Sequence, residues 1–530
     1  MSSIDTNVSL SPFDWIAVAG YLGIVVGITV WSRFGQKDSS ESYFLAGRGM
    51  NWIVVAIAIF ATLFSTISFV ASPGEAYGHG LMMLLPAFAM PIFVPLAVHL
   101  FLRFFFSGPT FTAYEYLEKR FNLPTRIGGA VLFCVIRLIY AGVVFYAAAI
   151  IIEALVGWPP LLTISAVGLF TIAYTTLGGM KAVMFTDVAQ ALILIVGISA
   201  VFWKILVATG ASPIEIFEYA SHNERTFGQL FEKEFWTLNF HTRLNVWLLI
   251  LIAASGPLMS LSCDQLVIQR LLTSKDFKSA KKSVYFNYIT MLPLGLLFWG
   301  AGLGLFYFYG IYPEKLPGEV TPDKVMGWFI STELPPPIPG LIIAALLAAL
   351  MSTISSVVNS VATVIYKDGL LRLGHVSEEN GPQTLRICRL LSIAAGLVGV
   401  GISILLTTGG EGVKSSVLEI AGVWSGLWMV LLSAFLLGVL FPRVSGKAMT
   451  VGLVLGSIVC LSCPYLFYYS VPAGERISFN WLSWPGFVVT MGVPLLISLF
   501  APERRELVNL TLRSLKPVPT IAKSDENPVN

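Results

Sequence analysis

Runs of about twenty mostly apolar residues recur along almost the whole chain, near 13–33, 52–72, 80–106, 127–156, 159–177, 183–207, 246–271, 285–309, 338–365, 387–407, 417–441, 448–468 and 483–501. At 1.5 Å of rise per residue, each is long enough to cross roughly 30 Å of hydrocarbon as a helix. The runs are continuous and lack the in-out alternation of a barrel strand, which excludes a membrane β-barrel. Of the 530 residues, 56% are hydrophobic and only 12% charged, about half the charged share of a soluble domain. That excess of apolar surface requires lipid around it. The expected fold is an all-α polytopic membrane protein with about 13 transmembrane helices and the lipid bilayer as its partner.

An odd number of spans puts the termini on opposite sides. The segments 33–50, 103–126, 181, 270–282, 367–389, 443–447 and 504–523 carry 24 Lys and Arg, and the alternate set carries seven. Basic residues are retained on the cytoplasmic side. This predicts a multi-pass plasma-membrane protein with residues 1–12 outside, a single transmembrane domain over 13–501, and a cytoplasmic polar tail over 502–530. The longest outer loop, 208–245, holds Glu215, Glu218, Glu224, Glu232 and Glu234 and is expected to form a small amphipathic cap. The first twelve residues lack a basic signal-peptide region, so the first apolar run is read as a retained span.

Several function classes drop out. The net charge is +3, and no basic cluster is interleaved with aromatics as a nucleic-acid groove requires. Cys134, Cys263, Cys388, Cys460 and Cys463 lie in or beside apolar runs, which predicts free thiols rather than a disulfide framework. No HExxH, phosphate loop or nucleophile elbow is present and the five histidines are scattered, so the chain is not expected to be an enzyme.

Polar interruptions inside apolar runs mark places where a spanning helix can break to line a cavity. The second span reads Ala61-Thr62-Leu63-Phe64-Ser65-Thr66-Ile67-Ser68, and the seventh passes from Ser255-Gly256-Pro257 to Ser260-Leu261-Ser262-Cys263-Asp264-Gln265. Their five-helix offset is that of two inverted five-helix repeats. On the ninth span Ala345, Ala348, Ala349, Ser352, Ser355, Ser356, Asn359 and Thr363 recur on one face. Such a stripe serves either close helix packing or ligation of a hard cation. Asp187, a carboxylate just inside the sixth span, favours function, because an intramembrane charge is costly unless used or paired.

At these residues the chain resembles the sodium:solute symporter family, over nearly its whole length. The matching motifs are Tyr43-Phe44-Leu45-Ala46-Gly47-Arg48, Thr112 through Phe121, Gly178-Gly179-Met180-Lys181-Ala182-Val183 with Thr186-Asp187, Asp264-Gln265 with Gln269-Arg270, and Met351 through Ser356 with Asn359-Ser360. The resemblance implies the inverted-repeat fold of the leucine transporter, with a 5+5 helix core over about 52–441, one helix before it and two after. Carried over residue by residue, it implies a first Na+ site from the carbonyls of Ala61, Phe64 and Ala349 and the hydroxyls of Ser352 and Thr353. It also implies a second Na+ site at Asp187, Ser352, Ser355 and Ser356.

The same resemblance puts the substrate beside Ser65, Thr66, Ser68, Arg137, Tyr140, Asp264 and Gln265. The chain departs from the sugar carriers, whose Glu-Gln pair reads Ile67-Ser68 here and whose later glutamine aligns with Leu418. A guanidinium at Arg137 suits a carboxylate; the alternative is that it snorkels or pairs with a buried acid such as Asp187. The expected function is a sodium symporter that takes up a small organic solute, an acid or acidic sugar rather than a neutral hexose, and works as a monomer. A proton-coupled or uncoupled carrier of this fold, or a transporter-like sensor, is the alternative.

Overall fold

In the computed structural model of the protein, the described residues are 10–34, 39–108, 110–318, 320–377, 381–408, 417–472 and 475–514. Among them the chain is helical, with no strand longer than an isolated bridge. The principal helices are α1 (Pro12–Arg33), α2 (Trp52–Leu63), α3 (Thr66–His79), α4 (Met82–Phe105), α5 (Tyr114–Arg120), α6 (Leu123–Val156), α7 (Pro160–Thr209), α8 (Pro213–His222) and α9 (Val246–Ser262). They continue with α10 (Gln265–Leu272), α11 (Phe277–Ile311), α12 (Pro322–Glu333), α13 (Ile338–Val364), α14 (Pro382–Thr408), α15 (Val417–Leu440), α16 (Gly446–Pro464) and α17 (Trp484–Phe500).

Nine helices among the described residues are long and apolar enough to cross a membrane, and eleven if the bent pairs α2/α3 and α9/α10 each count as one span. Reaching thirteen requires dividing α7 and adding α15. The expected spans 159–177 and 183–207 have no loop between them. They meet inside α7 at Gly179, whose φ of 57° and ψ of −159° belong to a region essentially reserved for glycine. Residues 73–79, expected as an outer connection, instead continue α3 to His79.

The hub of the bundle is α13. Every residue from Ile342 to Val364 is buried, as expected of a helix apolar on nearly all sides. It packs against α7, α6, α1 and α14. A capping box of Ser11 and Asp14 starts α1, and Asp14 also accepts from the Gly340 amide at 2.8 Å. That approach needs glycine: a Cβ at Gly340 would lie 2.3 Å from the Asp14 carbonyl oxygen.

At one end of the bundle, α8 and α12 close over the end of α11. Tyr219 stacks edge-on to Tyr307 at 5.1 Å, and Phe329 does the same to Phe308 at 5.1 Å. The cap expected in 208–245 thus includes α8, while α12 was not anticipated. At the other end Arg126 joins Glu118 at 2.8 Å and Asp368 at 2.6 Å, and Glu118 also pairs with Arg372. The Arg372 bond, with that of Arg126, holds the Glu118 carboxyl below its ordinary range.

Residues 501–514, after α17, dock on the bundle. Arg505 donates to the carbonyls of Arg120 and Phe121, the Leu512 amide donates to Val439, and Thr511 is buried. Arg120 itself is fully buried and donates to the carbonyls of Gly438, Phe441, Pro442 and Val444. It thereby satisfies the open end of α15 without a carboxylate.

Candidate functional site

The first break separates α2 from α3 by a 61° bend. Phe64 leaves the helix with φ −96° and ψ 99°, and Ser65 caps α3 by accepting from the Ser68 amide at 3.4 Å. The carbonyls of Ala61 through Phe64 therefore fall at a helix end, where the ladder of backbone bonds stops. Two hydrogen bonds fix this end against α13. Thr62 Oγ1 lies 3.1 Å from Ser356 Oγ, and Thr66 Oγ1 donates to the Leu346 carbonyl at 3.3 Å. The break thus runs alongside the stretch of α13 that contains Ala349, Ser352 and Thr353.

Ala61, Ala349, Ser352 and Thr353 are all buried, and Phe64 is half-buried. The Thr353 hydroxyl donates to the Ala349 carbonyl at 3.0 Å, and the Ser352 hydroxyl donates to Asp187 Oδ1 at 2.7 Å. The three backbone carbonyls and two hydroxyls lie on facing elements and are all oxygen donors, the ligand type a hard monovalent cation takes, and in this structure both hydroxyls are engaged in hydrogen bonds.

Asp187 is completely buried on α7. Its Oδ2 accepts from Arg270 at 2.8 Å and from Thr62 at 3.5 Å, and the same guanidinium donates to Ser356 Oγ at 2.5 Å. The hydroxyls of Ser355 and Ser356 bond back to the Ser352 carbonyl at 3.0 and 2.6 Å. Sequence reasoning counted Arg270 among inner-loop charges, whereas it is buried on α10 and paired. Its position at the end of an apolar run, six residues after Asp264, was the available signal. A cation at Asp187 would share its carboxylate with Arg270 or displace that side chain.

The second break, a 53° bend, separates α9 from α10. Asp264 caps α10, its Oδ1 accepting from the Leu266 amide at 3.1 Å, while Oδ2 accepts from Arg137 at 2.5 Å. Arg137 therefore pairs with Asp264, not with Asp187. Because α6 starts at Leu123, Arg137 lies about 21 Å along its helix. The guanidinium faces two aromatic rings, Trp428 at 4.6 Å and Tyr140 at 5.6 Å. Its Nε is buried with no partner among the described residues.

Trp428, on α15, was missed, since one tryptophan among thirteen carries no positional signal. Gln265 is turned away from this pocket, with Oε1 accepting from the Ala113 amide at 2.9 Å and Nε2 donating to the Phe111 carbonyl at 2.8 Å. Both ends of the Gln265 amide are thus bonded to the loop before α5. Ser65 and Thr66 are buried at the first break and Ser68 is half-buried. The side chain of Leu418 lies outside the described residues.

Two broken helices, a hydroxyl-bearing partner helix and two buried ion pairs are the parts from which a solute and ion path can be built. Comparison with known proteins gives the family. The chain is 28% identical over 447 residues to the sodium/sialic acid symporter NanT of Aliivibrio fischeri, covering 84% of this chain and 86% of that one. It is 27% identical over 484 residues to sodium-coupled monocarboxylate transporter 2 of Bos taurus, covering 89% and 75%. In fold it resembles a substrate-bound, outward-open Na+-coupled sialic acid symporter, with a TM-score of 0.81 at 24% identity over 94% of this chain and 100% of that one. The sodium:solute symporter family matches residues 43–456, most of the chain and both breaks, and the protein belongs to that family.

Proposed function

We propose that this symporter takes up a small organic acid, a monocarboxylate or an acidic sugar, whose carboxylate is held by Arg137. The observation that carries this reading is the Arg137 guanidinium, deep in α6 with an uncommitted Nε and two aromatic faces beside it. A guanidinium presents a fork of donors that fits a carboxylate better than a neutral hydroxyl. Asp264 keeps that charge compensated while the site is empty. Tyr140 and Trp428 supply apolar walls, and Ser65, Thr66 and Ser68 lie at the helix break that completes the pocket. The relatives that carry sialic acid and monocarboxylates support an acidic solute.

Sodium is the coupling ion of the family. The reading assigns the first ion to Ala61, Phe64, Ala349, Ser352 and Thr353, and a second to Asp187, Ser352, Ser355 and Ser356. Binding of ions at the junction of α2/α3 with α13 favours one arrangement of the broken helix over the other, which is how differential affinity shifts a conformational equilibrium. One observation favours a single-ion reading: Arg270 already neutralises Asp187. The domain plan is one transporter unit over 13–501 with its core at about 52–441, acting as a monomer, with the N-terminus outside and residues 502–530 cytoplasmic. Arg270, Arg126 and Arg120 are buried, yet removing them from the count leaves the basic excess on the same side.

Ser352→Ala with Thr353→Ala should raise the sodium concentration for half-maximal uptake. Two lost ligands at about 1 kcal/mol each amount to roughly thirtyfold. Normal sodium dependence in a correctly inserted double variant would exclude this ion site. Uptake of labelled acids against a matched set of neutral sugars in sodium-loaded and sodium-free vesicles tests the substrate class, and transport of the neutral set alone would overturn it.

A further inference from the structure

Where α16 begins and α17 ends, a cleft of about 540 Å³ opens at the edge of the bundle. Its lining includes Lys447, Arg504 and Arg505, three cations against the single carboxylate of Glu503. Arg505 and Glu503 neutralise one another at 2.9 Å. Lys447 and Arg504 are exposed, and neither side chain has an ion-pair partner among the described residues. The lip of the cleft is apolar: Phe500 is 90% exposed, and Leu499 and Leu496 beside it on α17 are also exposed. Uncommitted cations thus sit beside exposed apolar side chains, the pairing that a phospholipid's headgroup and acyl chain match.

We propose that this cleft binds the phosphate headgroup of an anionic phospholipid, with Lys447 and Arg504 as its charge partners and Phe500 against the acyl chain. The proposal needs only that the chain spans a bilayer and is independent of the transported solute. Basic pockets between membrane helices at the headgroup level hold anionic lipids in this way. The opposite helix ends meeting here, the N-terminus of α16 and the C-terminus of α17, carry opposed partial charges. The full charges of the side chains therefore decide the sign of the site. A free phosphate shares the chemistry but does not use the apolar lip, so a lipid is the occupant the cleft fits.

The test is native mass spectrometry of the full-length protein titrated with phosphatidylglycerol or phosphatidylcholine. Wild type should retain phosphatidylglycerol preferentially. Lys447→Gln with Arg504→Gln should reduce that preference by up to roughly thirtyfold, toward parity, since two surface cations at about 1 kcal/mol each are removed. The charge-conserving Lys447→Arg with Arg504→Lys should keep it, which separates the effect from misfolding. Equal lipid preference in wild type and the double glutamine variant would overturn the proposal. So would complete displacement of phosphatidylglycerol by inorganic phosphate, which would identify a free-anion site instead. Sodium-driven uptake by the same samples reports on the transport reading alone.

Discussion

Arg137→Gln is expected to reduce uptake of the acidic solute at least about 100-fold while leaving sodium binding nearly intact. Removing one partner of a buried ion pair costs about 3–5 kcal/mol, and every 1.4 kcal/mol or so is a tenfold change. Part of that penalty falls on the protein itself, because Asp264 would be left buried without its counter-charge. The double variant Arg137→Gln, Asp264→Asn separates the two effects. Its thermal stability should recover most of what the single variant loses, and its uptake should not. Full uptake by the double variant would show that Arg137 serves Asp264 and not the solute.

A second large effect is expected at Asp187. Asp187→Asn leaves the Arg270 guanidinium uncompensated in the core, a penalty of about 3–5 kcal/mol. The variant should therefore lose thermal stability. Arg270→Gln on the same background removes the stranded charge and should restore stability. If Asp187 also holds an ion, the steepness of sodium activation should fall from about two toward about one in both variants, since a Hill coefficient cannot exceed the number of sites. Wild-type steepness in the stable double variant would mean that Asp187 exists for Arg270 and that the second ion site is absent.

Much of this architecture was legible in the sequence because the bilayer is a demanding solvent. A span must be about twenty apolar residues long, and a hydroxyl-rich or proline-marked interruption has few uses other than a break. Both breaks, at Phe64-Ser65 and Cys263-Asp264, occur inside the interrupted runs. The stripe from Ala345 to Thr363 is buried throughout. What could not be read was pairing. Arg137 and Asp264 are 127 residues apart, and Arg270 and Asp187 are 83 apart. Each arginine had more than one acid within reach of a sequence argument.

Gln265 shows the same limit from the other side. Its position in a matching motif implied contact with the solute, but its amide closes the loop at Phe111 and Ala113. A backbone demand of that kind leaves no trace in hydropathy. The docking of residues 501–514 escaped for a related reason. Polar composition predicted a solvated tail, yet Arg505 and the Leu512 amide find partners on α5 and α15 and at the residue after α5. At Gly179 the difference was one of geometry: a single glycine in a special conformation makes the turn for which a loop was expected.

The central claim, that sodium flow drives uptake of an acid held by Arg137, makes a quantitative prediction about charge. Each charge crossing about 100 mV contributes roughly 2.3 kcal/mol, and a tenfold sodium gradient adds about 1.4 kcal/mol per ion. Two sodium ions with a monoanion then supply about 5.1 kcal/mol and move one net charge, whereas with a neutral solute they supply about 7.4 kcal/mol and move two. Current and labelled-solute flux recorded in the same proteoliposomes distinguish these cases. With two sodium ions per cycle the account predicts sodium-dependent flux with about one positive charge per solute molecule, and with one ion per monoanion, the stoichiometry if Arg270 keeps Asp187 occupied, about none. A ratio near two would contradict the carboxylate, and sodium-independent, electroneutral flux would contradict coupled symport itself.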